Sequence, residues 1–122
     1  MSEKRRAAER RGRAAELIAV LWLIAKGYRI LGRRVRTPFG EVDVAAWRGG
    51  VLVIVEVKAR RTYAAALEAV TFKQQERLAR AAQALAGRWR LMAAPIRFDI
   101  VVVGAGFWPQ HVRGAFSDPA LR

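Results

Sequence analysis

Acidic residues that could do chemistry are concentrated in one stretch of the chain, GEVDVAAWRGGVLVIVEVKARR (residues 40–61). Three of the ten acidic residues, Glu41, Asp43 and Glu56, lie in it, and Lys58 follows Glu56 after one residue. A chain with only ten acidic residues has little need to place one inside an apolar run for solubility. The stretch therefore predicts either a functional site or a charged pair at the end of a strand.

The register of a predicted hairpin decides whether these side chains meet. Strands are predicted on both sides of Gly49-Gly50, which is a strong hairpin signal. If the two glycines form a two-residue turn, Asp43 faces Glu56 with Cβ atoms about 4.5–5.5 Å apart. Side-chain alternation then adds Glu41 and Lys58 to the same face. A three-residue turn would instead put the two acids on opposite faces.

Two carboxylates that face each other repel by roughly 4 kcal/mol at an effective dielectric constant of 20. Protonation of one acid, an ion pair with Lys58 or a bound cation would each relieve this repulsion. Oxygen ligands in a chain without cysteine favour Mg²⁺ or Mn²⁺ over zinc. Such a metal polarises a phosphoryl oxygen and acidifies water, which is what phosphodiester hydrolysis requires. A solvent-exposed Glu-x-Lys pair is the alternative interpretation.

The composition describes a folded and strongly basic protein. The chain has 122 residues, of which 53% are hydrophobic, so we expect a single folded domain over residues 1–122. The absence of cysteine excludes disulfides and thiolate zinc sites and favours a cytoplasmic location. A net charge of +13 favours polyanionic partners, nucleic acid or an anionic membrane surface. A basic protein without a specific polyanion is the alternative.

The N-terminal segment predicts one helix over residues 3–26, with residues 1–11 as a basic helix start or tail. Its apolar run, residues 17–25, is shorter than the about 20 residues that span a bilayer, and no signal-peptide cleavage site follows. We therefore expect no membrane partner. The run is apolar nearly all round, which predicts either a homodimer or coverage by C-terminal aromatic residues. Those residues are Phe107, Trp108 and Phe116.

The rest of the chain reads as a mixed α/β domain in the order α-β-β-β-α-β. After the hairpin, a connection without clear form precedes a helix that Thr71 caps and that ends near Gly87. The remaining predicted segments are a first strand at 28–36, a turn at 37–40, a last strand at 96–103 and an irregular tail at 104–122.

Seven short motifs occur along the chain in a specific order and spacing: GRAAE (12–16), GYRIL (27–31), FGEVDVAA (39–46), VLVIVEVKAR (51–60), VTFKQQERLARAAQAL (70–85), RFDIVVV (97–103) and WPQHVRGAF (108–116). Together they resemble the YraN-like family of uncharacterised bacterial proteins, which is assigned to the restriction-endonuclease-like nuclease fold. The resemblance implies a central mixed sheet flanked by helices, and the site looks like that of archaeal Holliday-junction resolvases.

The resemblance also implies roles for individual residues. The nuclease signature is an Asp, then Glu-x-Lys on the next strand, often with a Glu from the first helix. Asp43, Glu56, Lys58 and Glu16 stand at those places, which implies a catalytic set of these four. Asp43, Glu56 and Glu16 would then be metal ligands, with Glu41 as a further candidate.

A basic helix face adds a candidate nucleic-acid surface. Lys73, Arg77 and Arg80 lie on one side of the predicted helix, as either a solvated face or a set of phosphate contacts. Asp99 is expected to be structural and to pair with an arginine such as Arg97. Gln75, Arg60 and Arg61 complete the nucleic-acid-binding candidates.

The combined prediction is a metal-dependent endonuclease of branched or structured DNA. Two alternatives stay open: a DNA-binding module of the same fold without turnover, and a protein-interaction domain that docks through the first helix.

Overall fold

A five-stranded mixed sheet lies between helices in the computed structural model, which describes residues 2–119. Strands β1 to β5 are arranged in chain order, and only the β3–β4 pair is parallel. The predicted order is confirmed, and it fits a restriction-endonuclease-like fold. The elements are α1 (Glu3–Ala25), β1 (Arg29–Thr37), β2 (Gly40–Arg48), β3 (Val51–Ala59), α2 (Tyr63–Glu68), α3 (Phe72–Arg88), β4 (Ile96–Val103) and β5 (Gln110–Phe116).

The two long helices cover opposite faces of the sheet. Leu23 of α1 packs with Val44 and Val55 on one face, while Leu85 of α3 packs with Ile54 on the other. Each fully buried side chain of this size contributes about 1.5–3 kcal/mol through removal of apolar surface from water. Both helices begin at side-chain caps, in which Ser2 accepts from Arg5 N–H and Thr71 accepts from Gln74 N–H.

The hairpin between β2 and β3 has the predicted two-residue turn. Gly49 and Gly50 have φ values of 58° and 79°, the left-handed conformation that a type I′ turn needs at both central residues. The paired residues run from Arg48–Val51 to Val44–Val55. The next positions along this register are Asp43 and Glu56, just beyond the end of the ladder.

Strands β1 and β2 are irregular beside Asp43. Arg34 in β1 has a left-handed backbone with φ 46°, which is uncommon for a residue other than glycine. Val42 packs on the α3 side of the sheet, whereas Val44 packs on the α1 side. The simple alternation of side chains along β2 therefore breaks at Asp43.

The C-terminal segment differs from the prediction of an irregular tail over residues 104–122. It contains β5, which pairs with β4 and covers that edge of the sheet. The strand pattern is hidden in the sequence because Gly114 has φ 59° and interrupts the alternation. Helix α2 also forms in the connection that the sequence left undefined. Among residues 2–119, no helix is long and apolar enough to cross a membrane.

Candidate metal centre and nucleic-acid interface

Asp43 is held at the point where β2 and β3 stop pairing. The backbone N–H of Val57 donates to Oδ2 of Asp43 at 2.9 Å, so the carboxylate takes the place of a ladder hydrogen bond. The side chain is half-buried. Its position is thus fixed by the backbone of the neighbouring strand, next to Glu56.

Glu56 is a buried acid with an unsatisfied oxygen. Its side chain is almost completely covered, and within residues 2–119 its Oε1 has no hydrogen-bond partner. Burial, the nearby charge of Asp43 and a hydrogen bond between the two side chains raise the pKa of Glu56 to about 8, although Lys58 and Arg77 act in the opposite direction. A buried oxygen without a partner is costly and is the atom that a bound cation would satisfy.

Lys58 completes this cluster. Its Nζ lies 3.9 Å from Oε2 of Glu56, and its side chain is only 17% exposed. The separation leaves the ammonium beside Glu56 without a tight ion pair. The structure therefore brings together Asp43, Glu56 and Lys58, which the sequence predicted as neighbours.

The carboxylate of Glu16 is engaged by arginines of β1. Nε of Arg34 donates to both oxygens at 3.1 Å, and Nη2 of Arg33 lies 3.4 Å from Oε1. Glu41 is exposed and lies 3.7 Å from Nε of Arg36. Glu16, Glu41 and Asp43 do line one cavity of about 550 Å³.

The predicted set of three or four carboxylate ligands is therefore not assembled. Across residues 2–119, no group of three or more Asp, Glu or His side chains is arranged to hold a metal ion. The arginine partners of Glu16 were not predicted from the sequence. The available signal was the acid at the start of the apolar half of α1 and the run Arg33-Arg34 in the next element.

Asp43 and Glu56 nevertheless fit one type of metal. Mg²⁺, and by analogy Mn²⁺, is commonly bound through one or two carboxylates, with water or phosphate oxygens at the remaining positions. Asp43 and Glu56, whose Oε1 has no hydrogen-bond partner among residues 2–119, are the two carboxylates that would hold such an ion. Zinc fits poorly because its sites use three or four protein ligands.

The predicted basic face is partly occupied by structural contacts. Nη1 of Arg77 donates to the backbone oxygens of Phe39 and Glu41, which holds the β1–β2 turn against α3. Lys73 and Arg80 are exposed and, with Arg77, line a second cavity of about 580 Å³.

The other nucleic-acid candidates lie around the ends of β3 and α3. Gln75 donates to the backbone oxygen of Val70, and Arg60 to that of Ala59. Arg61 is exposed.

Asp99 is the centre of a buried polar network, as its predicted structural role requires. Arg97 donates to both of its oxygens at 2.8 Å, Gly114 N–H donates to Oδ1, and Nε2 of His111 lies 2.7 Å from Oδ2. Burial alone would raise the pKa of Asp99, but the hydrogen bonds from His111, Arg97 and Gly114 hold it at about 2. The network ties β5 to β4.

We expect Asp99→Asn to lower the free energy of unfolding by about 2 kcal/mol, because a charge-assisted hydrogen bond and the charge opposite Arg97 are lost. Urea unfolding at pH 7 measures this change. Glu68→Gln, on the exposed surface of α2, is the matched control and should leave stability unchanged. Equal stability of Asp99→Asn and wild type would contradict a structural role for this network.

Much of the apolar surface of α1 stays uncovered. Trp108 contacts Trp22, with ring centroids 5.7 Å apart, but Phe116 stacks on Phe98 in the other layer of the core and does not cover α1. The prediction of coverage by the C-terminal aromatic residues is therefore confirmed only for Trp108. A homodimer stays a prediction. The exposed apolar residues of α1 are Leu17, Ile18, Leu21 and Ile24.

The five-stranded mixed sheet and the helices on its two faces form a mixed α/β domain that is consistent with a restriction-endonuclease-like fold. The model of the uncharacterised protein family UPF0102 matches residues 15–103, and the chain belongs to this family. The predicted YraN-like membership is thereby confirmed.

Relatives with this family name are similar along nearly their whole length. A UPF0102 protein of Caulobacter sp. strain K31 is 51% identical over 113 residues, which cover 92% of this chain and 81% of the relative. A UPF0102 protein of Maricaulis maris is 50% identical, covering 95% and 92%. A UPF0102 protein of Agrobacterium fabrum is 47% identical, covering 94% and 95%.

Proposed function

We propose that this protein is a divalent-metal-dependent endonuclease that hydrolyses phosphodiesters in branched or structured DNA. The observation that carries the proposal is the buried, unpartnered oxygen of Glu56 beside Asp43. A carboxylate pair with a strongly raised pKa costs stability in a purely structural role, whereas such a pair is an ordinary arrangement in a site that binds a cation.

Three residues have defined parts in this proposal. Asp43 and Glu56 would hold Mg²⁺ or Mn²⁺, which supplies Lewis-acid activation of a phosphoryl oxygen and of water. Lys58 is close enough to the pair to orient the attacking water or to stabilise charge that develops on the phosphate. The resemblance to resolvases supports the choice of DNA, and so does the net charge of +13.

Two alternatives have specific support. A DNA-binding module without turnover is favoured by the lack of a third carboxylate ligand among residues 2–119. A protein-interaction domain is favoured by the exposed apolar residues of α1. An acidic pair has no use in either of these alternatives, because DNA binding alone is weakened by negative charge near the phosphates.

A salt titration tests nucleic-acid binding. Because each neutralised phosphate releases counterions, the logarithm of affinity should fall with the logarithm of salt concentration at about −0.9 per contact. Replacing Lys73 and Arg80 with Gln should reduce this slope by about 2 and weaken binding to all sequences equally. Arg113→Gln on β5, the opposite edge strand from β1, is the matched control.

Fluorescence anisotropy with duplex and four-way DNA measures the affinity and its dependence on salt concentration. We expect a steep slope for wild type and for Arg113→Gln. A flat salt response in wild type would exclude nucleic acid as the partner.

A further inference from the structure

Gly12 is an unexplained glycine in the interior of α1. Glycine is among the least favourable residues in a helix interior. A Cβ atom added at Gly12 would meet no atom within 4 Å, and the backbone φ of this residue is not positive. Neither packing nor backbone geometry within the chain therefore requires glycine at this position.

Gly12 borders the cavity of about 550 Å³ that leads to Asp43. Charged side chains of both signs line it: the arginines are Arg13, Arg34 and Arg36, and the acids are Glu9, Glu16, Glu41 and Asp43. Arg34 is paired with Glu16, and Arg36 lies near Glu41. The candidate metal ligand thus lies in a cavity of mixed charge, with α1 around Gly12 on one side and Arg34 and Arg36 of β1 on the other.

Arg34 is held in this wall by a strained backbone and a buried acid. Its φ of 46° carries a conformational cost that is usually found where a side chain must be placed accurately. Its Nε donates to both oxygens of Glu16, while within residues 2–119 its terminal nitrogens form no hydrogen bond. A guanidinium fixed in this way presents its free N–H groups as a preformed site for a phosphate.

We propose that this cavity is the channel through which the phosphodiester backbone reaches Asp43, and that the strand passes against α1 at Gly12. Glu16 is then a positioning residue that holds Arg34, rather than a metal ligand. The absence of a side chain at residue 12 lets the nucleic-acid backbone approach the helix closely. This inference rests on the proposed nucleic-acid binding and states the path that the bound strand follows.

The test compares two helical glycines. Gly87 in α3 also has open space around a built Cβ atom, but it lies outside this cavity, so Gly87→Ala and Gly87→Leu are matched controls for Gly12→Ala and Gly12→Leu. Binding of a fluorescent DNA oligonucleotide is measured with EDTA present, so that no metal contributes. We expect Gly12→Leu to weaken binding by about tenfold or more, Gly12→Ala by less, and both Gly87 variants to stay within about twofold of wild type.

Thermal unfolding checks that the Gly12 variants fold. Both alanine variants should be at least as stable as wild type, since alanine is the better helix former. If wild type binds DNA and the Gly12 variants bind as well as the Gly87 variants, the channel is overturned and the proposed function stands. If wild type binds no oligonucleotide, both the channel and the proposed function are contradicted.

Glu16→Gln separates the two roles of Glu16. If Glu16 is a positioning residue, this variant should weaken DNA binding about fivefold in EDTA and leave the affinity for Mn²⁺ unchanged. Loss of Mn²⁺ binding in this variant would overturn the positioning role and make Glu16 a ligand.

Discussion

Asp43→Asn and Glu56→Gln are each expected to abolish the binding of Mn²⁺ and to lower DNA cleavage by at least about a hundredfold. Each change removes one negative charge from the pair and barely alters its shape. Asparagine can still accept the hydrogen bond from Val57 N–H through its amide oxygen, so the strand geometry should persist. DNA binding should survive or tighten, because a negative charge near the phosphates is removed.

Two further variants make this prediction specific. Lys58→Ala should keep metal binding and lose turnover, because the lysine acts on the water or the developing charge rather than on the cation. Glu68→Gln is the matched acid control, since Glu68 is exposed on α2 and lies outside the cavity that Asp43 lines. Calorimetric titration with Mn²⁺ and a cleavage assay measure both properties. Unchanged metal affinity in Asp43→Asn and Glu56→Gln would show that the pair is not a metal site.

The stability of the metal-free protein is expected to fall by about 3–5 kcal/mol as the pH rises from about 4.5 to about 8. The cause is the raised pKa of Glu56. A carboxyl group with a higher pKa in the folded state binds its proton more tightly there than in the unfolded chain. This contribution to stability is complete below the unfolded pKa and is lost as the pH passes the folded pKa. Asp99, with a pKa of about 2, has the opposite sign and changes only below this interval.

Glu56→Gln should remove this pH dependence, because glutamine stays neutral throughout. Urea unfolding of both proteins in EDTA at pH 5 and pH 8 gives the comparison, and the variant should be the more stable of the two at pH 8. Mn²⁺ should restore the stability of wild type at pH 8 and have no effect on Glu56→Gln. Parallel pH profiles for the two proteins would contradict a buried, repelled carboxylate.

The facing positions of Asp43 and Glu56 could be predicted because the register of the β2–β3 hairpin depends on the residues of its own turn. Two consecutive glycines define a two-residue turn, and that turn fixes which residue of β2 lies opposite Glu56. The helices could be placed from the same kind of local signals, as the cap at Thr71 shows.

The parts of the fold and of the candidate site that could not be predicted depend on contacts between residues that are far apart in the sequence. The pairing of Glu16 with Arg34 occurs together with the left-handed backbone of Arg34 and the break in alternation between Val42 and Val44. Residue patterns along β1 and β2 do not reveal either feature. Strand β5 was missed for a related reason. Its pairing is supported by the buried carboxylate of Asp99, which accepts from Gly114 N–H and lies beside His111.

Cleavage of a panel of duplex, flap and four-way DNAs with Mg²⁺ or Mn²⁺ tests the central claim most directly. The account predicts that wild type cuts at least the branched substrates, that EDTA stops the reaction, and that Asp43→Asn at the same concentration is inactive while still binding the DNA. Cleavage that persists in Asp43→Asn would point to a contaminating nuclease. Wild-type protein that binds the DNAs but cuts none of them with either metal would contradict the endonuclease and leave the binding module in its place.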